Sequence, residues 1–139
     1  MSSPLQTFIP MLSYEDGEGM MDWLIEAFGF VEKERWLEEG RLTHGELSFR
    51  GGVVMLASPT PAYQSPKKVR QNYPPAQEWS TVPYIFNGVL VHVQNIHEHF
   101  DRAKRVGAVI LSEIESGGPG RKYRAEDPEG QRWYFLETD

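Results

Sequence analysis

Two stretches of this 139-residue chain carry the same succession of signals: a strand, a helix closed by glycine, then three more strands. In the first stretch, residues 8–14 (FIPMLSY) read as a short strand entering the turn Glu15-Asp16-Gly17. Met20, Trp23, Leu24, Ala27 and Phe28 then recur at three- and four-residue spacing, which predicts an amphipathic helix over residues 18–28. Gly29 stands where a helix end takes a left-handed residue. Strands are expected over 31–38, 41–50 and 53–57, with turns at Glu39-Gly40 and Gly51-Gly52.

The pattern restarts at residue 88. Residues 88–93 (GVLVHV) read as a strand, Asn95 as a helix N-cap, and Ile96, Phe100 and Ala103 as a helical stripe ending at Gly107. Strands are expected over 108–113, 122–126 and 131–136, separated by Gly117-Gly118-Pro119-Gly120 and by Asp127-Pro128-Glu129-Gly130. The economical account is an internal duplication of a βαβββ module, over residues 7–58 and 85–139 of one domain. Residues 59–84 differ in composition, with six prolines, and read as a linker that its aromatics (Tyr63, Tyr73, Trp79, Tyr84) pack down in part. The fold class is α+β: each helix buries its stripe on one face of a cupped mixed sheet, leaving the other face free, and two such sheets placed side by side enclose a cleft.

Charge and residue usage exclude several functions. Fourteen Lys and Arg stand against 20 Asp and Glu, a formal charge of −6. That deprives a nucleic-acid backbone of the basic field it needs, and suits cationic ligands better. Without cysteine there is no disulfide, thiolate nucleophile or thiolate metal site. The first six residues show no signal-peptide pattern, and no apolar run reaches membrane-spanning length, so a cytoplasmic protein is expected. The segment Lys67-Lys68-Val69-Arg70 reads as a solvated loop.

Several short motifs within this frame form a recognisable set. They are Asp16 at the end of the first strand, Trp23 to Phe30 (WLIEAFGF), His44-Gly45-Glu46-Leu47, Val91-His92-Val93, Phe100-Asp101-Arg102-Ala103, Gly107-Ala108 and Tyr123-Arg124. The most specific is Asp127-Pro128-Glu129-Gly130-Gln131-Arg132-Trp133. The chain thus resembles the vicinal oxygen chelate superfamily of glyoxalases, bleomycin-resistance proteins and extradiol dioxygenases. The resemblance runs over residues 8–136. In metal-dependent members, it implies ligands on the first and last strand of each module. Those positions correspond here to Ile9, Met55, Gly88 and Tyr134. That set offers no His, Glu or Gln, so the resemblance implies a binder without a metal or other cofactor. It also implies a homodimer, since modules of this family often pair across chains.

On this reading the chain binds a small molecule, cationic or aromatic, in an apolar-aromatic cleft. The alternative is a metal-dependent lyase or dioxygenase of the same superfamily, its metal held by residues such as His44, Glu46 or His92. Alternation along the strands nominates Ile9, Met11, Met55 and Leu90 as the cleft floor, with Ser13 on the same face. His92 shares the face of Gly88 and is the nearby group suited to proton transfer. Tyr134 and Arg132 share a face of the last strand, and Tyr123 is expected at the cleft border. His44 and Glu46 share a strand face that is expected to be solvated, while His97 and His99 are two apart on a helix and diverge. No phosphate-binding GxxxxGK and no GxSxG elbow is present.

Overall fold

Each amphipathic helix has one apolar stripe to bury, and each buries it against a four-stranded sheet. A computed structural model describes residues 6–138. Residues 1–5, read above for a signal peptide, and Asp139 lie outside the described residues. The chain divides between Tyr63 and Gln64 into two compact units.

The first unit runs β1 (Met11–Ser13), α1 (Gly17–Phe28), β2 (Val31–Glu38), β3 (Arg41–Phe49) and β4 (Gly52–Ala57). Its sheet has the order β1-β4-β3-β2, with β1 parallel to β4 and the other pairs antiparallel. Asp16 caps α1 by accepting from the Gly19 N–H at 3.0 Å, and Gly29, at φ +79°, closes it with a bond to Ile25 O. Met20, Met21, Leu24, Ala27 and Phe28 form the buried stripe, and Leu42, Leu47, Val54 and Leu56 receive it from the sheet. Gly17 enters the helix where no side chain fits. A Cβ there would stand 2.6 Å from Ser58 Oγ and 2.7 Å from Leu42 Cδ2. Arg35, from β2, ties sheet to helix by reaching Asp22 at 2.6 Å and Glu18 at 3.3 Å.

The second unit repeats the plan with β5 (Gly88–Val93), α4 (Ile96–Arg105), β6 (Val109–Glu115), β7 (Lys122–Glu126) and β8 (Arg132–Glu137). Its order, β5-β8-β7-β6, is the first sheet's order again, including the parallel pair of first and last strands. Ile96, Phe100 and Ala103 of α4 pack with Val93, Tyr123, Ala125, Trp133 and Phe135 in a fully buried layer. The turn before β8 is organised by Asp127, which is itself buried. Its Oδ1 accepts the N–H groups of Glu129 and Gln131, and its Oδ2 accepts the Trp133 indole N–H at 3.1 Å.

The linker differs from expectation in having structure of its own. It contains two short helices, α2 (Pro66–Gln71) and α3 (Pro74–Trp79), and from Gln64 onward it belongs to the second unit. Arg70 is not a solvated residue: it donates to Glu126 Oε2 at 3.1 Å and to Gly130 O at 3.0 Å. Burial lowers its pKa, and Glu126 opposes that shift. Lys67 N donates to Glu129 O. Gly130, at φ +90°, permits this approach, because a Cβ there would lie 2.6 Å from Arg70 Nη2 and 2.7 Å from Lys67 N.

Arg132 completes the attachment. Its side chain is 1% exposed. It donates to Glu126 Oε2 at 2.8 Å, to Val82 O at 2.7 Å and to Ser80 O at 2.8 Å. The Phe86 ring packs against two guanidinium groups, with Arg70 Cζ 4.8 Å and Arg132 Cζ 4.9 Å from its centroid. One shared carboxylate and one aromatic ring thus hold two like charges together in a buried site.

Two substitutions test this packing. Gly17→Ala forces Ser58 and Leu42 aside, and is expected to cost about 1–3 kcal/mol, read as a lower urea midpoint at unchanged slope. Arg132→Met leaves the Ser80 and Val82 carbonyls without their donor and Glu126 with Arg70 alone. It is expected to cost about 3–5 kcal/mol and to speed tryptic cleavage at Lys67 and Lys68.

Candidate functional site

One helix per sheet covers one face, so in each unit the opposite face is where side chains meet something other than the core. In the first unit that face is fixed by register. Met11 pairs with Met55, Met55 with Glu46, and Glu46 with Glu34, a single row across all four strands. Registered neighbours project to the same side of a sheet. The alternate residues of β3, Gly45 and Leu47, are buried, and a Cβ on Gly45 would touch Met21 Sδ of α1 at 2.6 Å. The row from Met11 to Glu34 therefore lies on the helix-free face.

A polar cluster sits at the β2–β3 end of that row. His44 Nε2 is 2.9 Å from Glu46 Oε1 and 3.7 Å from Glu34 Oε2. Lys33 Nζ stands 4.0 Å from Glu46 Oε2. Trp36, paired with His44 across the strands, meets the imidazole edge-on with ring centroids 6.3 Å apart. The pairing of His44 with Glu46 follows from their alternation, and their face is solvated as expected at His44, whose side chain is 36% exposed. Glu46 is only 13% exposed, since it stands among Met55, Glu34 and His44.

Apolar groups dominate the rest of the face. Met11 is 79% exposed and Trp36 62%, while Met55 between the sheet edges is half-buried. Ile9, two residues before Met11, is exposed as well. Three strand spacings put ~14 Å between the outer strands β1 and β2, about the length of a fused aromatic ring system.

The second sheet treats its helix-free face differently. Leu90 and His92 of β5 are exposed there. Leu90 registers with Tyr134, and Tyr134 with Arg124. The Tyr134 hydroxyl donates to Phe86 O at 2.8 Å, and the Arg124 guanidinium lies 5.6 Å from the Tyr134 ring and 6.0 Å from that of Tyr84. Arg132 is on this face too, but under the linker, where its hydrogen bonds are spent on Ser80, Val82 and Glu126.

Tyr123 does not stand at a cleft border. It is fully buried on the helix side, against Phe100 and Phe135, because β7 alternates from Lys122 and Arg124 outward to Tyr123 and Ala125 inward. Its hydroxyl lies 2.6 Å from His99 Nδ1, and burial pushes the phenol pKa well up. His99, expected at the surface, packs instead over Phe135 with centroids 4.4 Å apart. His97 does face outward, where Arg121 Nη1 lies 3.0 Å from its Nε2.

The four positions at which the family resemblance places metal ligands do not suit such an ion. Gly88 has no donor, and a Cβ there would crowd Arg132 O and the Tyr134 ring at 3.0 and 3.1 Å. Tyr134 gives its hydroxyl proton to a backbone carbonyl. Met55 offers a soft thioether and Ile9 nothing. Sequence reasoning missed Glu34 and Trp36. The strand VEKERWLE has no apolar alternation to declare its faces, and the register shifts at Glu32/Glu34 and Trp36/Leu37 hide the pairing. It also missed Phe86 as the ring against which both Arg70 and Arg132 pack.

Comparison with known proteins places this architecture. Among solved structures the chain is similar to TioX from Micromonospora sp. ML1, at 28% identity and a TM-score of 0.69 over 95% of this chain and 98% of that one. It is similar in fold to TnmS3, an antibiotic binding protein from Streptomyces sp. CB03234, at 13% identity and a TM-score of 0.66 over the whole of both chains. It shares that fold with FosX, a fosfomycin resistance protein from Listeria monocytogenes, at 12% identity and a TM-score of 0.64 over 100% of this chain and 96% of that one. No curated protein sequence matches it. A family model, however, matches residues 9–135, from the approach to β1 to the middle of β8. With that match laid over a duplicated βαβββ chain, the protein belongs to the Glyoxalase/Bleomycin resistance protein/Dioxygenase superfamily.

Proposed function

We propose that this protein binds a small aromatic or cationic molecule, using the helix-free face of its first sheet as the platform and no catalytic metal at Ile9, Met55, Gly88 and Tyr134. The observation that carries the reading is the exposure of Met11 and Trp36 on one face of a sheet whose other face is the core. Large apolar side chains left in water on one flat surface mark a place where something binds. Methionine thioethers adapt to the outline of a planar ligand, and an indole stacks on it. Glu34 and Glu46, beside them, give the face a negative end that a cationic substituent suits.

Met11 and Met55 are registered neighbours on this face, with Ile9 two residues before Met11, while Leu90, His92 and Tyr134 belong to the helix-free face of the second sheet. TnmS3 and FosX, as an antibiotic binding protein and a fosfomycin resistance protein, support small-molecule recognition as a use of this fold; they do not identify the molecule. No helix among the described residues is long and apolar enough to cross a membrane. A cytoplasmic binder is the reading this suits.

Proflavine, a planar aromatic cation, is a suitable probe, titrated into chelator-treated protein and followed by tryptophan fluorescence. Saturable binding is expected, weakened roughly tenfold by Trp36→Ala or Met11→Ala, which is a loss of about 1.4 kcal/mol. Binding that neither substitution changes would sink the reading. An uncharged aromatic of the same size should bind more weakly; equal binding would remove the carboxylates from the account.

The same reading takes the chain as a homodimer, supported by the exposed Phe8, Tyr84 and Ile85. Light scattering should return about twice the chain mass of 15.9 kDa. A particle of single-chain mass overturns that part alone.

A further inference from the structure

We infer that Glu34, His44 and Glu46 form a binding site for one divalent transition-metal ion of the zinc, nickel or copper class, separate from the four positions at which the family resemblance places ligands. The three donor atoms, one imidazole nitrogen and two carboxylate oxygens, all lie within 4.8 Å of one another. Around a tetrahedral ion with bonds of about 2.0–2.2 Å, donors stand about 3.3–3.5 Å apart. The distances from His44 Nε2, 2.9 Å to Glu46 and 3.7 Å to Glu34, already bracket that spacing. The third pair, Glu34 with Glu46, lies within the same 4.8 Å, and the two residues are cross-strand partners on adjacent antiparallel strands.

Charge makes the same point independently. Glu34 and Glu46 are direct cross-strand partners, and like charges so placed repel. A cation between them reverses the sign of that interaction. Lys33 answers part of it, from 4.0 Å and from one side only, with a side chain that is itself mostly in solvent. A neutral imidazole cannot answer it, but a neutral imidazole is the form that ligates a metal.

The donor set selects the ion. One nitrogen and two oxygens suit borderline divalent ions, whereas calcium and magnesium take oxygen alone and soft ions take sulfur. Three protein ligands leave at least one coordination position for water, on the face that also carries Met11 and Met55. An organic ammonium is the competing occupant. It is disfavoured because it makes no use of the imidazole as a ligand, although His44 Nε2 lies 2.9 Å from Glu46 and 3.7 Å from Glu34.

The test uses the full chain after chelator treatment, titrated with zinc by calorimetry and with copper(II) by fluorescence. One zinc per chain is expected, with affinity falling at least roughly tenfold in both His44→Ala and Glu46→Gln. Copper quenches nearby indoles, and Trp36 is the indole beside His44. The quench should therefore be largely lost in Trp36→Phe while zinc affinity stays unchanged. Glu34→Gln, altering an exposed side chain, serves as a further ligand variant should His44→Ala not fold. The inference is overturned by no saturable zinc binding below about 1 mM, by ligand variants that bind as the parent does, or by copper quenching that survives Trp36→Phe. Binding of an alkylammonium salt in place of zinc overturns it as well. These outcomes are independent of proflavine binding, which is measured without metal.

Discussion

A four-stranded sheet with a single helix has one face it cannot cover, and this constraint shapes both halves of the protein. Strand alternation sends every second side chain to the helix and every other one away from it. The helix sides are closed by Met21, Leu24 and Phe28 in one unit and by Trp133, Phe135 and Tyr123 in the other. What remains to be arranged is the uncovered side.

The two units handle it in different ways. In the second, the linker folds down onto the sheet and is held by buried polar chemistry. Arg132 reaches two carbonyls of the linker while Glu126 binds Arg132 and Arg70 together. An arginine this buried is tolerable only because its donors are matched, and the match is made by backbone rather than by water. Among the described residues of the first unit no segment plays that part. Met11 and Trp36 stay exposed, and Glu34, His44 and Glu46 gather at one end of the row. The asymmetry between duplicated modules is thus an asymmetry of free faces, and it is why the proposals centre on the first sheet.

The turn marker Asp127 to Trp133 illustrates how a motif encodes fold rather than activity. Asp127 accepts two backbone N–H groups of its own turn and the Trp133 indole. Gly130 is required by its positive φ and by the approach of Arg70 and Lys67. Asp127, Gly130, Arg132 and Trp133 are thus accounted for by bonding and packing within the second unit. The pattern identifies the superfamily well and leaves the ligand open, as expected where many functions share a fold.

The sequence by itself determined the duplication, the order of strands and helices in each half, the helix caps at Gly29 and Asn95, and the shared face of His44 and Glu46. These follow from periodicity and backbone stereochemistry, which act over a few residues and are written in their order. Tertiary structure alone decided which residues meet across strands. The register that brings Glu34 to Glu46, and Trp36 to His44, depends on two irregularities in a strand of mostly charged residues. The inward turn of Tyr123 depends on which β7 face α4 covers, and the burial of Arg70 on contacts more than 50 positions away in the chain. Such contacts are set by packing over long sequence separations, where no local signal reaches.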